Sequence, residues 1–254
     1  AYGWRPADLR YRWHWTFPVL ISPHDHTTVY VGSQHVHRTT NDGQSWEVIS
    51  PDLTLNDRSR MGSSGGLTGD NIGVEYAGTV YAIAESPKDK GTIWVGTNDG
   101  LVQLTRDNGA TWTNVTAKIA GVPKGTYVSR VEPSRTGDGA AYVAFDGHRT
   151  NDHKPYVFVT KDFGETWTAL ANNLPTGNVN VVREDPKNRN LLYAGTELGL
   201  YASWDGGGHW ASIRNNMPPV AVRDIAIHPR DNDVIVATHG RGIYILDDAA
   251  PLQM

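Results

Sequence analysis

The chain has 254 residues, with 23 Lys plus Arg against 27 Asp plus Glu and a formal charge of −4. That length permits one or two domains with a sizeable core, and the charge balance gives no basic footprint for nucleic acid. The lack of cysteine excludes disulfides and thiolate chemistry without arguing against an oxidising compartment, and no apolar run approaches the ~20 residues of a membrane-spanning helix.

Taken in order, the chain repeats one plan. A short apolar strand closes on a proline at Pro23, Pro87, Pro133, Pro186 and Pro229, spaced 64, 46, 53 and 43 residues apart. These intervals are close to the ~40–50 residues of a propeller blade. The strands before the prolines cover residues 19–21, 80–84, 128–131, 179–182 and 225–227. A polar turn follows each, then a second strand at 29–32, 93–96, 141–145, 191–195 and 234–237. Several of these strands are continuously apolar, as expected where a sheet is covered on both faces. No period of 3.6 persists anywhere, so helix should be minor. The expected fold is all-β: a β-propeller of four-stranded blades, about five in this chain, forming a single domain or segment over 1–254. The blades fall near 15–50, 77–116, 126–170, 178–214 and 220–248.

The third strand of four units runs into a repeated turn. It reads Thr39-Thr40-Asn41-Asp42-Gly43-Gln44-Ser45-Trp46, Thr105-Arg106-Asp107-Asn108-Gly109-Ala110-Thr111-Trp112, Thr160-Lys161-Asp162-Phe163-Gly164-Glu165-Thr166-Trp167 and Ser203-Trp204-Asp205-Gly206-Gly207-Gly208-His209-Trp210. A short acid or amide caps the turn amides, Gly supplies positive φ, and Trp starts the fourth strand. Asn41, Asp107, Asp162 and Asp205 are therefore structural caps. Trp46, Trp112, Trp167 and Trp210 are expected to be largely buried. The fifth unit ends in Gly242-Ile243-Tyr244-Ile245-Leu246-Asp247-Asp248 without this turn. Its outer strand would come from residues 11–15 in a closed five-bladed ring, or from a missing half or partner chain if the segment belongs to a larger propeller.

The repeated turn resembles the Asp-box, or BNR repeat, of sialidases, xyloglucanases, sortilin-type receptors and secreted bacterial proteins. The runs Trp15-Thr16-Phe17-Pro18, Ser45-Trp46-Glu47-Val48-Ile49-Ser50-Pro51-Asp52-Leu53-Thr54 and Ala237-Thr238-His239-Gly240-Arg241 are similar to a bacterial sortilin-like group often labelled glycosyl hydrolase. The resemblance implies an extracellular or periplasmic protein. The chain also starts at Ala1 without Met or signal peptide, which reads as a processed or excised segment.

Two long polar connections depart from the repeat, residues 50–77 and 146–155. Propeller connectivity sends outer-to-inner and second-to-third-strand loops to one face, and the capped turns to the other. Loops on a rigid scaffold concentrate function. Ligand-binding candidates on that face are Tyr76, Tyr127, His148, Arg149, Asp152, His153, His239 and Arg241. A glycosidase needs two carboxylates roughly 5–9 Å apart. The available acids are Asp70, Glu75, Asp99, Asp146, Asp152, Glu197 and Asp224, of which Glu75, Asp99 and Glu197 lie nearest the expected channel mouth.

Other signals read as structure. His24-Asp25-His26 occupies a turn that elsewhere reads Pro87-Lys88-Asp89, so no metal site is assigned. Gly62-Ser63-Ser64-Gly65-Gly66 spells G-x-S-x-G without the strand and helix that motif requires. Arg130, Arg183 and Arg223 could in principle gather on an anion. However, Arg130 and Arg183 lie three residues before their proline and Arg223 six, which puts them at different levels. Ion pairing with Glu132, Glu184 or Asp185 accounts for the first two. No cofactor is implied. The reading is a binding or scaffold module for protein, peptide or glycan, with no nucleic-acid partner and no membrane span. The alternative is a sialidase- or xyloglucanase-like glycoside hydrolase.

Overall fold

In the computed structural model, which describes residues 3–70 and 72–254, the chain forms two compact units, Ala1–Val131 and Glu132–Met254. The first sheet of the first unit holds β1 (Val19–Ile21), β2 (Val29–Gly32), β3 (Val36–Thr39) and β4 (Glu47–Val48) in chain order. Its second sheet holds β5 (Val80–Glu85), β6 (Ile93–Thr97), β7 (Val102–Thr105) and β8 (Thr113–Asn114). The boundary between the units falls inside β9 (Tyr127–Pro133), which heads a third sheet with β10 (Ala141–Asp146), β11 (Tyr156–Thr160) and β12 (Thr168–Ala169). The second unit adds β13 (Val179–Glu184), β14 (Leu192–Thr196), β15 (Gly199–Ser203) and β16 (Ala211–Ile213), then a three-stranded sheet of β17 (Val222–Ile227), β18 (Val234–Thr238) and β19 (Ile243–Leu246). Helical turns among the described residues are short and of the 3-10 type. The fold is an all-β propeller built from antiparallel meander blades.

Burial explains why the strands read as they do. Every residue of β6, β11, β14 and β15 is buried, because sheets with neighbours on both faces select continuous apolar runs. β1 and β19, in the first and last sheets, alternate exposed and half-buried residues instead. In the first unit Tyr30, Val36 and Leu53 interleave with Val80, Ile83 and Ile93. In the second, Val181, Tyr193 and Leu200 pack on Val222, Ile225 and Val234. Close approach of sheets requires glycine at the end of β2: a Cβ on Gly32 would lie 2.5 Å from Val80 Cγ1. Gly195 in β14 meets Val222 in the same way, at 2.6 Å.

The four repeated hairpins share one bonding scheme. The leading hydroxyl of Thr105 accepts the Gly109 amide at 3.0 Å and donates to Asp107 at 2.8 Å. Asp107 in turn accepts the amide and hydroxyl of Thr111 at 2.8 and 2.6 Å. Asp162 repeats this with Thr166, and Asp205 with His209. Asn41 accepts the Ser45 amide at 3.0 Å and donates to the Ser45 hydroxyl at 2.9 Å. The hydroxyls of Thr111 and Thr166, then their amides, hold Asp107 and Asp162 below the usual carboxylate range. The residue before the glycine is also left-handed: Asp42, Asn108 and Phe163 have φ of 56°, 60° and 57°. An aromatic side chain is unusual there. The Phe163 amide donates to Gly139 O at 2.9 Å, and Asn108 makes the equivalent bond to Gly91 O, which seats each hairpin beside its own proline turn.

The tryptophans are less buried than expected. Trp210 is 5 % exposed, Trp112 and Trp167 are half-buried, and Trp46 is 46 % exposed. Trp210 joins the core between the third and fourth sheets and Trp112 packs against that of the first two, whereas Trp46 lies open at the rim. The Trp112 and Trp210 ring N–H groups donate to Ile49 O (3.0 Å) and Leu170 O (2.7 Å), just past the last strand of the preceding sheet. Trp167 bonds Gly164 O within its own hairpin. Trp46 belongs to the first sheet, which has no predecessor in its unit.

The strand expected of residues 11–15 does not form. Residues 11–15 lie in no strand, and β19 pairs with β18 alone among the described residues. Arg12 explains this: its amide donates to Gln34 Oε1, and its guanidinium to Gly78 O, Asp52 and Thr54 at 2.9–3.1 Å. Tyr11 and Trp13 then close on His37, with Trp13 stacked at 5.1 Å. After β19 the chain turns at Asp248, and Gln253 Nε2 donates to the Asp185 carboxylate at 2.9 Å. The last residues thus buttress their own unit and add no fourth strand.

Two outcomes are expected. Trp210→Ala should cost about 3–5 kcal/mol, in line with buried aromatic truncations, and Trp46→Ala distinctly less; chemical denaturation midpoints read the ranking. Burial, reinforced by His35, pushes His37 down to about 4 from its ordinary 6.5. Between these values the unfolded chain binds a proton that the folded chain refuses. Stability is therefore full above pH 6.5 and falls as pH drops toward 4. Melting temperatures across that window should show a shallower slope in His37→Phe.

Candidate functional site

In the first unit the long connection 50–77, of which Asn71 lies outside the described residues, is tied down at several points. Asp52 takes the Thr54 amide and hydroxyl as well as Arg12. Asp99 is 3 % exposed; it accepts the Thr97 hydroxyl at 2.5 Å and the Leu55 amide at 2.8 Å. Burial raises its pKa while these hydrogen bonds oppose the rise. Asp99 thus braces its own β6–β7 turn with Oδ1 and holds the connection to it with Oδ2. Glu75 contributes its carbonyl, which accepts Asn98 Nδ2 at 2.8 Å and the Tyr127 hydroxyl. Tyr127 is 4 % exposed, edge-on to Tyr81 at 5.6 Å, and supports the loop from below. Tyr76, 45 % exposed, is the aromatic of this group that faces solvent. Ser64 donates to Asp70 at 2.6 Å and accepts the Gly73 amide, a loop staple.

In the second unit the insertion 146–155 is built from a 3-10 turn, His148–Thr150, closed by Asn151 in the left-handed region. His148 Nδ1 sits 2.7 Å from Asp146, and Arg149 is 3.9 Å from the same carboxylate. Asp152 accepts the Tyr156 hydroxyl at 2.7 Å. That bond lowers the Asp152 pKa, and burial followed by Asp152 pushes Tyr156 up to about 12.

From this insertion a polar chain runs across the same end of three sheets. His153 Nδ1 meets Asn178 Oδ1 at 3.2 Å, and Asn178 Nδ2 donates to Asp152 O at 3.0 Å. The Glu197 amide donates to Asn178 O at 3.1 Å. Asn180 Nδ2 donates to Glu197 Oε1 (3.2 Å) and Val222 O (3.0 Å). Arg223 completes the chain, donating to Asn180 Oδ1 at 3.0 Å and to Glu197 at 2.9 Å. Asn178 and Asn180 are buried, and they fix the outer members. His239 and Arg241 lie exposed on the β18–β19 hairpin, which the His239 amide ties to Ala221 O at 2.9 Å. The structure thus joins His153 and Glu197 through Asn178 and Asn180, and it ties the hairpin carrying His239 and Arg241 through backbone alone.

Asn178 and Asn180 were not singled out by sequence reasoning. Their signal is the run Asn178-Val179-Asn180-Val181-Val182, two amides at the mouth of an otherwise apolar strand. Arg183 and Arg223 keep separate partners, as their offsets from the prolines required. Arg183 pairs with Glu132 and with Asp224 (3.2 Å), and Arg223 with Glu197.

No family model matches the sequence, and no curated protein matches it. Solved structures do. The chain is similar to the GH74 xyloglucanase from Xanthomonas campestris, with TM-score 0.67 and 20 % identity over 92 % of this chain and 37 % of that one. A GH74 enzyme from Niastella koreensis gives 0.63 and 19 %, over 91 % and 36 %. The extracellular domain of a protein described as a two component system from B. thetaiotaomicron gives 0.58 and 14 %, over 86 % and 26 %. The chain therefore spans roughly a third of these proteins, and at such identities the likeness is one of fold.

Asn178 makes the insertion legible as a built element. Asn178→Ala should leave the Asp152 carbonyl and His153 without their partner, costing about 1–3 kcal/mol. Faster amide hydrogen exchange confined to residues 146–155 and the Gly177 amide is the expected readout.

Proposed function

We propose that the protein is an Asp-box (BNR-repeat), sortilin-like propeller segment that works outside the cytoplasm as a binding module. Its ligand class is a glycan, peptide or protein carrying hydroxyl and carbonyl groups. The ligand-facing groups are those of the second unit's polar chain and insertion: His148, Arg149, Asp152, His153, Glu197 and Arg223, with His239 and Arg241 beside them. In the first unit Tyr76 is the exposed aromatic available for stacking. Among the described residues no helix is long and apolar enough to cross a membrane.

One observation carries this reading: three of the acids that a hydrolase would draw on already serve other groups. Asp99 is buried with both oxygens occupied, Glu197 is held by Arg223 and Asn180, and Asp224 by Arg183. Glycoside hydrolysis needs one carboxyl group kept protonated and a second free to attack or activate water. Recognition asks only for oriented donors and acceptors on a rigid base, and buried Asn178 and Asn180 provide that base.

The test is a glycan array that includes xyloglucan oligosaccharides, with a random peptide library alongside, followed by calorimetry on the hits. Arg223→Ala should weaken the binding found by about tenfold or more, the effect of losing a charged hydrogen bond, with the melting temperature nearly unchanged. Release of reducing ends from xyloglucan that requires Glu197 would replace this reading with the glycoside hydrolase.

A further inference from the structure

At the proline-turn end of β9, β13 and β17, opposite the polar chain, lies a pocket of about 290 Å³, at the small end of the range for ligand sites. Every residue that lines it belongs to the second unit. Arg183 of β13 lines it and braces the strands on either side. Its Nε donates to Ile225 O of β17 at 2.7 Å, and its guanidinium pairs with Glu132 of β9 and with Asp224 of β17 at 3.2 Å. Pro186, Ile225, Ile227 and Pro229 give the pocket an apolar side.

The charges of the lining divide unequally. Three cationic side chains stand against two carboxylates, so it is net positive before His228 is counted. Glu132 is spent on Arg183, and Glu184, 1 % exposed, accepts the Arg135 amide at 3.1 Å and the Thr136 hydroxyl at 3.0 Å. Arg135 and Lys187 are exposed, and among the described residues they make hydrogen bonds through their backbone amides alone. His228 Nδ1 accepts the Asp231 amide at 3.1 Å, which puts the ring proton on Nε2. The Asp231 carboxylate, 3.2 Å from that Nδ1, is itself held by Arg230 at 2.8 Å. The donors of Arg135, Lys187 and His228 Nε2 are thus unspent, while both acids of the lining are engaged.

We infer that this pocket is a second binding site, for a small organic acid: one carboxylate on a compact apolar body. Arg135 and Lys187 draw the carboxylate, with His228 Nε2 as a further donor, and the body lies on the proline and isoleucine side chains. Each half of the lining selects one half of the ligand. An uncharged analogue gives the two cations no charged acceptor, and an inorganic anion leaves the apolar side in water. Backbone groups at this end are already paired: the Asp185 and His228 amides donate to Leu191 O and Asp233 O at 2.9 and 2.8 Å. Recognition here therefore falls to side chains.

The experiment is calorimetry with ligand-observed NMR on the whole chain. The probes are phenylacetate and isovalerate, their amides, and inorganic phosphate. One or both acids should bind saturably, and the matching amide and phosphate should each bind about tenfold more weakly or worse, the scale of a lost charged hydrogen bond. Arg135→Gln with Lys187→Gln should weaken the acid by about tenfold or more without moving the melting temperature, since neither side chain holds another part of the fold. Arg223→Ala, at the polar chain, should leave acid binding unchanged, so this site and the one proposed above succeed or fail separately. Neither acid saturating, equal binding of amide or phosphate, or undiminished affinity in the Arg135 and Lys187 double variant would each overturn the inference.

Discussion

Every sheet in this chain is apolar on two faces, and that single constraint governs the rest. A strand such as Leu192–Thr196, buried at each position, cannot be satisfied by one neighbour. Stacking sheet on sheet within each unit meets the requirement, and it sets the spacing. Glycine stands where the chain must let a neighbouring valine through, at Gly32 against Val80 and Gly195 against Val222. The cost of such a plan falls on its first and last members. In β1 and β19 burial alternates although both strands are apolar throughout.

Stacking alone would let sheets slide, and the repeated hairpins oppose that. Each hairpin is closed internally by a hydroxyl, a carboxylate or amide, and two left-handed residues, so its shape does not depend on neighbours. Two of them then reach out. The Trp112 and Trp210 rings bond the strand end of the sheet before, and Gly109 and Gly207 bring the turn against Ile49 and Leu170. The carboxylates serve this purpose at the rim, each already bonded to an amide and a side chain four residues on. Their low pKa values follow from those bonds and carry no catalytic meaning.

Much of this was legible in the sequence because it rests on short-range chemistry. The proline-closed strands, the capped turns and the three-stranded last sheet follow from residues within a few positions of one another. What failed depends on distance. The exposure of Trp46 could not be read from a motif identical to those of Trp112 and Trp210; it depends on which sheet lies next to it. The strand expected of residues 11–15 is missing for a similar reason, since Arg12 finds Gly78, Asp52 and Thr54 far along the chain. Among candidate site residues, Tyr127 and Asp99 look available in sequence, yet both are spent holding the connection 50–77. His153 and Glu197 do meet a common network, but through Asn178 and Asn180, whose role is visible only once three sheets are in place.

That network also says why recognition would sit at this end of the sheets. At the opposite end the backbone groups are consumed by the hairpins and by the turns beside them, as Asn108 on Gly91 and Phe163 on Gly139 show. At the β10–β11 and β14–β15 end the connections are longer and their amides and carbonyls need partners. Buried asparagines supply them: one Asn side chain offers both a donor and an acceptor, so Asn178 can serve Asp152 and His153 together. An apolar residue at 178 would leave two loop groups unpaired, and a charged one would be buried without a counter-ion. Satisfying the loop backbone in this way leaves the outward atoms of His148, His153 and Arg223 oriented but not consumed. A surface whose geometry is fixed from beneath can bind a ligand without first ordering itself, which is the largest saving available to a recognition site.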